Sequence, residues 1–273
     1  YRRDTGENLG YRSWLHYLLP ITYAEPELAR EILRYSIKWR PLGPAAAQQE
    51  PYGTGPLCTR FDLGSSNDLD FWLLLAAAEY GLGTRDVKFF DEQLPYYGTS
   101  VNASAWQHIK EAFAHQETLR GPHGGYIMGA TGDWNDFSTE LEQMTESNLV
   151  TAQLAYAYPK LAELADLRGD KEFADKLRKA GAANLETIKG QWTGRWYTRG
   201  YSGPNQGGTG VIVEEPQPWA ILAGAPTTDQ AKTLAANIHR FLDGYGAPGG
   251  PAKFGTAQVP SRHDPDVTEM GPE

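Results

Sequence analysis

Apolar residues recur at helical spacing along most of this 273-residue chain, and long loops rich in glycine and proline separate the segments that carry them. Strand-like alternation is nearly absent, so the pattern predicts an all-α fold. The strongest apolar run, Phe71 to Ala78, suits a core helix and is far shorter than the roughly 18 residues of a membrane span. We predict helices over Pro26–Trp39, Asp68–Tyr80, Asp86–Leu94, Ala103–Leu119, Leu141–Leu167, Asp170–Lys189, Pro216–Ala223 and Thr228–Leu242.

Glycine and proline set the expected ends of these helices. Gly81 and Gly83 are expected to stop the helix that starts at Asp68. Pro159 is expected to kink or divide the longest helix. The segment from Gly6 to Ser13 is polar and glycine-containing, which predicts a loop, and short strands are expected only near Trp196-Tyr197.

The order of these elements favours stacked helical hairpins with functional loops collected at one end. A solenoid would show a sequence period, and none is visible, so a toroid of paired helices is the preferred architecture. We predict one helical catalytic domain over residues 1–273. The chain begins Tyr-Arg-Arg-Asp without Met and stops in mid-pattern, so we expect an incomplete fragment of a longer protein.

The composition limits the classes of ligand that the chain is expected to bind. The formal net charge is -9 and no Lys/Arg cluster stands out, which argues against a nucleic-acid partner. Aromatic residues make up 12% of the chain, which suits a helical core or a carbohydrate site lined with rings. Neither the single Cys58 nor the six His residues show metal-ligand spacing, so we predict no metal. Only His123 lies close in sequence to the motif described next.

The segment Gly132-Asp-Trp-Asn-Asp136 carries the strongest chemical signal. An indole ring offers a flat apolar face to a pyranose, and its low-dielectric surroundings raise the pKa of a nearby carboxyl group towards the general-acid range. Asp133 and Asp136, three residues apart on either side of Trp134 and Asn135, are therefore both candidates for the proton donor. The structural alternative is a polar turn in which Asp136 caps the next helix.

The motif resembles the signature of glycoside hydrolase family 94, which includes the cellobiose and chitobiose phosphorylases. Further segments in the same order are similar to segments of that family: Leu9-Gly-Tyr-Arg12, Ser66-Asn-Asp-Leu-Asp-Phe-Trp72, Phe90-Asp-Glu-Gln-Leu-Pro95, Thr145-Glu-Ser147 and Pro216-Gln-Pro-Trp-Ala-Ile-Leu-Ala-Gly224. The resemblance implies an (α/α)6 barrel and inverting cleavage of a β-glycosidic bond, with phosphate as the usual nucleophile. It makes Asp136 the general acid.

The resemblance also assigns binding roles, each with a structural alternative. It places Trp134 against the reacting sugar, or else in core packing, and Arg60 on the sugar hydroxyls, or else in a pair with a surface carboxylate. Asp68 would hold the same hydroxyls or cap a helix, and Asp133 would bind or brace the loop. Two further residues in the matching segments complete the predicted binding set, namely Arg12 and Gln217.

Three functions follow. The preferred one is phosphorolysis of β-linked gluco-oligosaccharides to a sugar 1-phosphate, with inorganic phosphate as co-substrate and no other cofactor. The family's phosphate ligands fall near or beyond the end of this chain, so an inverting hydrolase or transglycosylase is the alternative. It needs a second carboxylate about 6.5–9.5 Å from the acid, and the candidates are Glu215, Glu146 and Glu269. A non-catalytic glycan-binding domain is the third.

The expected partners follow from the same chemistry. We expect an oligosaccharide substrate, no nucleic acid and no membrane, and a homodimer as in related phosphorylases. A cytoplasmic location is the first expectation. Secretion is the alternative, because we expect the N-terminus, where a signal peptide would lie, to be missing from this fragment.

Overall fold

The computed structural model describes residues 11–43, 66–128, 132–134 and 144–242. The chain divides into two compact units. Unit 1 comprises Tyr1–Arg120, Gly129–Trp134 and Ala157–Ala180, and unit 2 comprises Gly121–Met128, Asn135–Tyr156 and Gly181–Glu273. The prediction of one domain over residues 1–273 stays a prediction.

Helices dominate the described ranges, as the apolar spacing predicts. Eight α-helices are present there: α1 (Tyr11–Ala24), α2 (Pro26–Ile37), α3 (Leu69–Thr84), α4 (Ala105–Thr118), α5 (Asn148–Leu167), α6 (Lys171–Lys189), α7 (Pro216–Leu222) and α8 (Thr228–Phe241). A 3₁₀ helix, Val87–Asp91, follows α3. In unit 1, α1 packs on α2 and α3, and α3 packs on α4.

The expectation of an all-α chain needs correction, because six short strands occur in the described residues: β1 (Gln93–Pro95), β2 (Asn102–Ser104), β3 (Tyr126–Ile127), β4 (Glu146–Ser147), β5 (Gly200–Ser202) and β6 (Asn205–Gly207). β1 pairs antiparallel with β2 in unit 1, and the antiparallel sheet β3-β4-β5-β6 lies in unit 2. Strands of two or three residues are too short to leave an alternating sequence pattern.

Helix α1 corrects the prediction of a loop up to Ser13. The helix begins at Tyr11 and buries a stripe that includes Tyr11, Leu15 and Leu18. Pro20 lies inside it with its ring exposed. The apolar spacing of four and three residues is visible in the sequence, but the polar residues and glycines just before it obscure the start of the helix.

Two other segments also differ from prediction. The segment from Asp86 to Leu94 forms the 3₁₀ helix and β1 instead of an α-helix. Helix α5 continues through Pro159, whose ring is exposed, while Tyr158 and Leu161 on either side are fully buried. Burial of this kind can outweigh the one backbone hydrogen bond that proline removes.

Helix α3 runs through both glycines that were expected to end it. It ends at Thr84, and the C-cap residue Arg85 has a left-handed φ of 61° and an N–H that bonds to the carbonyl of Gly81. Gly81 is required for close packing: an added Cβ would lie 2.6 Å from Leu164 Cδ1 and 3.0 Å from Phe90 Cε2. The glycine therefore allows α5 to approach α3 closely.

Replacing Gly81 with Ala should lower the free energy of unfolding by about 1–2 kcal/mol, because overpacking outweighs the gain in helix propensity. Urea denaturation measures the change. Adding Leu164→Ala should cost less in the Gly81→Ala background than in the wild type, since it removes the overlapping methyl groups. A Gly81→Ala variant as stable as the wild type would contradict the packing argument.

Unit 2 has its own apolar core. Its largest members are Trp196, Tyr197 and Phe241, which are almost completely buried together with Ile212 and Leu234. Helix α8 begins at Thr228 as predicted, and Thr227 caps it: Thr227 accepts from the Gln230 N–H, and the Gln230 side chain accepts from the Thr227 N–H.

Candidate functional site

The first three motif residues, Gly132 to Trp134, lie in unit 1 beside the segment that precedes α3. Gly132 has a φ of +86°, which favours glycine. Its carbonyl accepts from the Asn67 N–H and from the Ser66 hydroxyl, each at 3.1 Å. Two segments that are 66 residues apart in sequence are thereby held together.

Arg12, on α1, links both segments. Its Nη1 donates to the Asp133 main-chain carbonyl at 2.8 Å, to Asp68 Oδ1 at 3.0 Å and to Ser66 Oγ at 3.1 Å. The Arg12 side chain is 14% exposed and that of Asp68 is fully buried. This charge-assisted network fixes the path of the motif backbone. Asp133 itself is buried.

Asp68 occupies the N-cap position of α3, yet its side chain makes no cap hydrogen bond. Its carboxylate accepts instead from Arg12, from Ser66 Oγ at 2.5 Å and from Trp72 Nε1 at 2.9 Å. The helix-cap alternative for Asp68 is therefore wrong. Its proposed contact with sugar hydroxyls stays a prediction.

The Trp134 ring is half-buried and contacts three side chains. The Arg12 guanidinium lies over the ring, 5.2 Å from its centroid. The ring centroids of His16 and Trp72 lie 4.7 Å and 6.2 Å away. A ring that is packed on part of its surface and accessible on the rest is compatible with both stacking on a sugar and core packing.

His16 is a site residue that the sequence prediction missed. Its ring also packs edge-on against Trp72, with the centroids 3.6 Å apart. Burial lowers the pKa of His16 to about 4, with Arg12 acting in the same direction and Asp68 opposing it. The imidazole is consequently neutral at neutral pH. The available signal is spacing, because residues 12 and 16 lie on the same face of a helix.

The remaining members of the predicted set fall into two groups. Arg60, Asp136 and Glu269 lie outside the described residues, so their roles stay predictions. Gln217 lies in unit 2 and is fully buried, with its amide bonded to the backbone of Tyr197 and Val213. These contacts are structural, and a sugar contact from Gln217 stays a prediction.

Two candidate second carboxylates, Glu215 and Glu146, lie in unit 2. Glu215 is buried at the N-terminus of α7, where its Oε2 lies 3.3 Å from Arg199 Nε. Glu146 is 1% exposed and accepts hydrogen bonds from the main chain and side chain of His123. Both carboxylates are engaged by neighbouring groups, which disfavours either as a base that activates water.

Membrane spans and metal clusters are both missing from the part of the chain that the structure describes. Within it, no helix is long and apolar enough to cross a membrane. In the same ranges, no group of three or more His, Cys, Asp or Glu side chains is arranged to hold a metal ion.

A mainly helical domain in which an arginine and a buried aspartate hold a Gly-Asp-Trp segment against aromatic rings has the features of a carbohydrate-active catalytic domain. The model of the glycosyl hydrolase 94 superfamily, catalytic domain, matches residues 2–249. The chain belongs to this family, a class of glycoside phosphorylase-like and hydrolase-like enzymes. The resemblance drawn from the sequence segments is thus confirmed.

Three relatives are similar at low identity. The chain is 27% identical over 184 residues to a 3-O-beta-D-glucopyranosyl-beta-D-glucuronide phosphorylase of Paenibacillus borealis, covering 64% of this chain and 24% of the relative. It is 25% identical to a cellobionic acid phosphorylase of Neurospora crassa, covering 93% and 32%. It is 24% identical to an N,N'-diacetylchitobiose phosphorylase of Vibrio proteolyticus, covering 86% and 32%. The chain therefore spans no more than about a third of the length of these relatives.

Proposed function

We propose that the protein containing this domain cleaves β-linked gluco-oligosaccharides by phosphorolysis with inversion, releasing a sugar 1-phosphate. The observation that carries the proposal is the network in which Arg12 binds Asp68 and the Asp133 carbonyl and covers the Trp134 ring. This network holds the motif at Asp133 and Trp134, and Trp134 is two residues before the proposed acid, Asp136. The names of all three relatives describe phosphorylases.

In the proposed reaction, Asp136 donates its proton to the oxygen that joins the two sugars. The bond from that oxygen to the anomeric carbon breaks, and the leaving sugar departs as an alcohol. A phosphate oxygen forms the new bond to the anomeric carbon from the opposite face, so a β-linkage gives an α-sugar 1-phosphate. Phosphate is the only co-substrate, and no other cofactor is required by this chemistry.

The described residues would contribute positioning. Trp134 would offer an apolar face to the reacting sugar, and Asp68 and Arg12 would hold hydroxyl groups or the loop that contacts them. Asp133 would brace the motif, and Arg60 would complete the sugar contacts. A neutral His16 beside Trp134 keeps a second positive charge away from an oxocarbenium-like transition state.

The architecture proposed for the whole domain is the (α/α)6 toroid of the family. The packing of α1 on α2 and of α3 on α4 supports it, since hairpins of successive helices are its building blocks. The homodimer and the cytoplasmic location stay expectations that depend on the family resemblance alone.

The deciding experiment incubates the full-length protein with cellobiose, cellobionic acid and N,N'-diacetylchitobiose, with and without inorganic phosphate. We expect turnover only with phosphate, and ³¹P and ¹H NMR should show an α-sugar 1-phosphate. Release of reducing sugar at the same rate without phosphate would establish the hydrolase instead. Sugar binding with no turnover under either condition would support the glycan-binding alternative.

A further inference from the structure

Residues Gly121 to Gly125, here called the Glu146 turn, fold around a single buried carboxylate in unit 2. Glu146 accepts from the main-chain N–H groups of His123 and Gly125, each at 3.2 Å to Oε2, and from His123 Nδ1 at 2.6 Å to Oε1. The turn is closed by the Gly121 N–H bonded to the Gly125 carbonyl at 2.8 Å. Three donors from five residues thus converge on one side chain.

The glycines of the turn leave no space for larger residues. A Cβ at Gly121 would overlap the carboxyl carbon of Glu146, and one at Gly125 would lie 3.2 Å from Glu146 Oε2. Gly124 has a left-handed φ of +85°. The glycines are therefore needed both for backbone conformation and for close approach to the carboxylate.

His123 is fixed on two sides. Its ring lies parallel to the Tyr201 ring, with the centroids 3.9 Å apart and an interplanar angle of 5°. The Tyr201 hydroxyl accepts from Gln191 Nε2 at 3.2 Å. The imidazole thus joins the Glu146 carboxylate to β5, the strand next to β4 in the sheet.

The turn and its carboxylate lie on either side, along the chain, of residues 129–144, here called the motif segment. β3 follows the turn directly, and Ile127 pairs with Glu146 itself in β4. The pairing continues where the Met128 N–H bonds to the Thr145 carbonyl at 2.9 Å. All of residues 129–144, including Asp136, connect these two strands.

We propose that His123 and Glu146 form a positioning pair that acts on Asp136 by fixing the β3–β4 pairing, from which the motif segment extends. This inference rests on the proposed function, because it assigns the pair an effect on proton donation by Asp136. It also gives Glu146 a role other than that of the water-activating base considered from the sequence. The pair acts through the hairpin and touches no reacting atom.

Two substitutions separate the hydrogen bond from the ring contact. His123→Phe keeps a ring against Tyr201 and loses the Nδ1 donor, whereas His123→Asn keeps an N–H donor near the Nδ1 position and loses the ring. We expect His123→Phe to lower kcat about 10- to 100-fold, since small displacements of a catalytic group have effects of this size. KM should change little, and the pH–rate limb governed by Asp136 should shift. His123→Asn should restore most of kcat and the wild-type pH profile.

His115→Phe is the matched control, because His115 Nδ1 also contacts a carboxylate, that of Asp70 on α3, which lies outside the β3–β4 hairpin. It should reduce thermal stability and leave kcat and the pH profile unchanged. If His123→Phe behaves like His115→Phe, the role is structural only and the proposal is overturned. The proposal is also overturned if His123→Asn fails to restore kcat while its stability equals that of the wild type.

Hydrogen exchange separates failure of this proposal from failure of the proposed function. The amide of Met128, which bonds to the Thr145 carbonyl next to the β3–β4 pairing, should exchange faster in His123→Phe than in the wild type, and His123→Asn should restore its protection. This readout needs no turnover, so an inactive wild-type protein would overturn phosphorolysis while leaving the effect of the pair on the hairpin measurable. Unchanged protection of Met128 in His123→Phe would overturn the pair's control of the β3–β4 pairing.

Discussion

Replacing Asp136 with Asn should lower kcat for phosphorolysis of a β-linked disaccharide by about 10²–10⁴-fold, the range expected when a general acid is removed. The amide has nearly the same shape as the carboxyl group but no proton to donate. The leaving sugar must then depart as an alkoxide, whose expulsion is slow. KM should change little, because the sugar-binding side chains are untouched.

An activated substrate makes this prediction specific. A p-nitrophenyl β-glycoside carries a leaving group that departs as a stable phenolate, so it needs little protonation. The loss of kcat in Asp136→Asn should be much smaller with this substrate than with the disaccharide. Asp133→Asn removes a carboxyl group from the same motif and should act equally on both substrates. Equal losses for Asp136→Asn on both substrates would contradict its assignment as the proton donor.

The helical class and several boundaries are predictable from the sequence because they depend on local patterns. Helix α2 follows its apolar spacing, and α8 begins at a Thr227 cap that forms a capping box with Gln230. The strands of unit 2 are not predictable in this way, since β3 and β4 are two residues each and exist only through pairing across a long intervening segment. Gly81 resembles a helix stop in the sequence, because the local sequence does not show that it packs against Leu164 on another helix.

The sequence predicts which residues form the candidate site better than it predicts the contacts they make. Arg12, Asp68, Asp133 and Trp134 lie in segments that resemble those of one family, and the structure brings these four together in unit 1. Only the tertiary structure shows that Asp68 bonds to Arg12 and Trp72 instead of capping α3. Metal-ligand spacing alone, the criterion applied to the histidines, does not identify His16.

The second large effect is expected from replacing Arg12 with Met. The Asp68 carboxylate, which is fully buried, would lose its cationic partner, and breaking a buried pair in this way costs about 3–5 kcal/mol of stability. The Asp133 carbonyl would lose the same donor, so the motif would also lose the bond that holds its backbone. Urea denaturation should show the fall in stability, and kcat/KM should also fall, because the motif backbone is no longer held in place.

The double variant Arg12→Met with Asp68→Asn separates stability from function. Asparagine at position 68 carries no charge, so no buried ion is left without a partner. A substantial part of the lost free energy of unfolding should therefore return. Trp72 Nε1 can still donate to the side-chain oxygen of an asparagine at that position. Turnover should stay low, because the motif backbone still lacks its Arg12 donor. Recovery of turnover together with stability would mean that Arg12 serves the fold alone, and the network would then no longer support the proposed site.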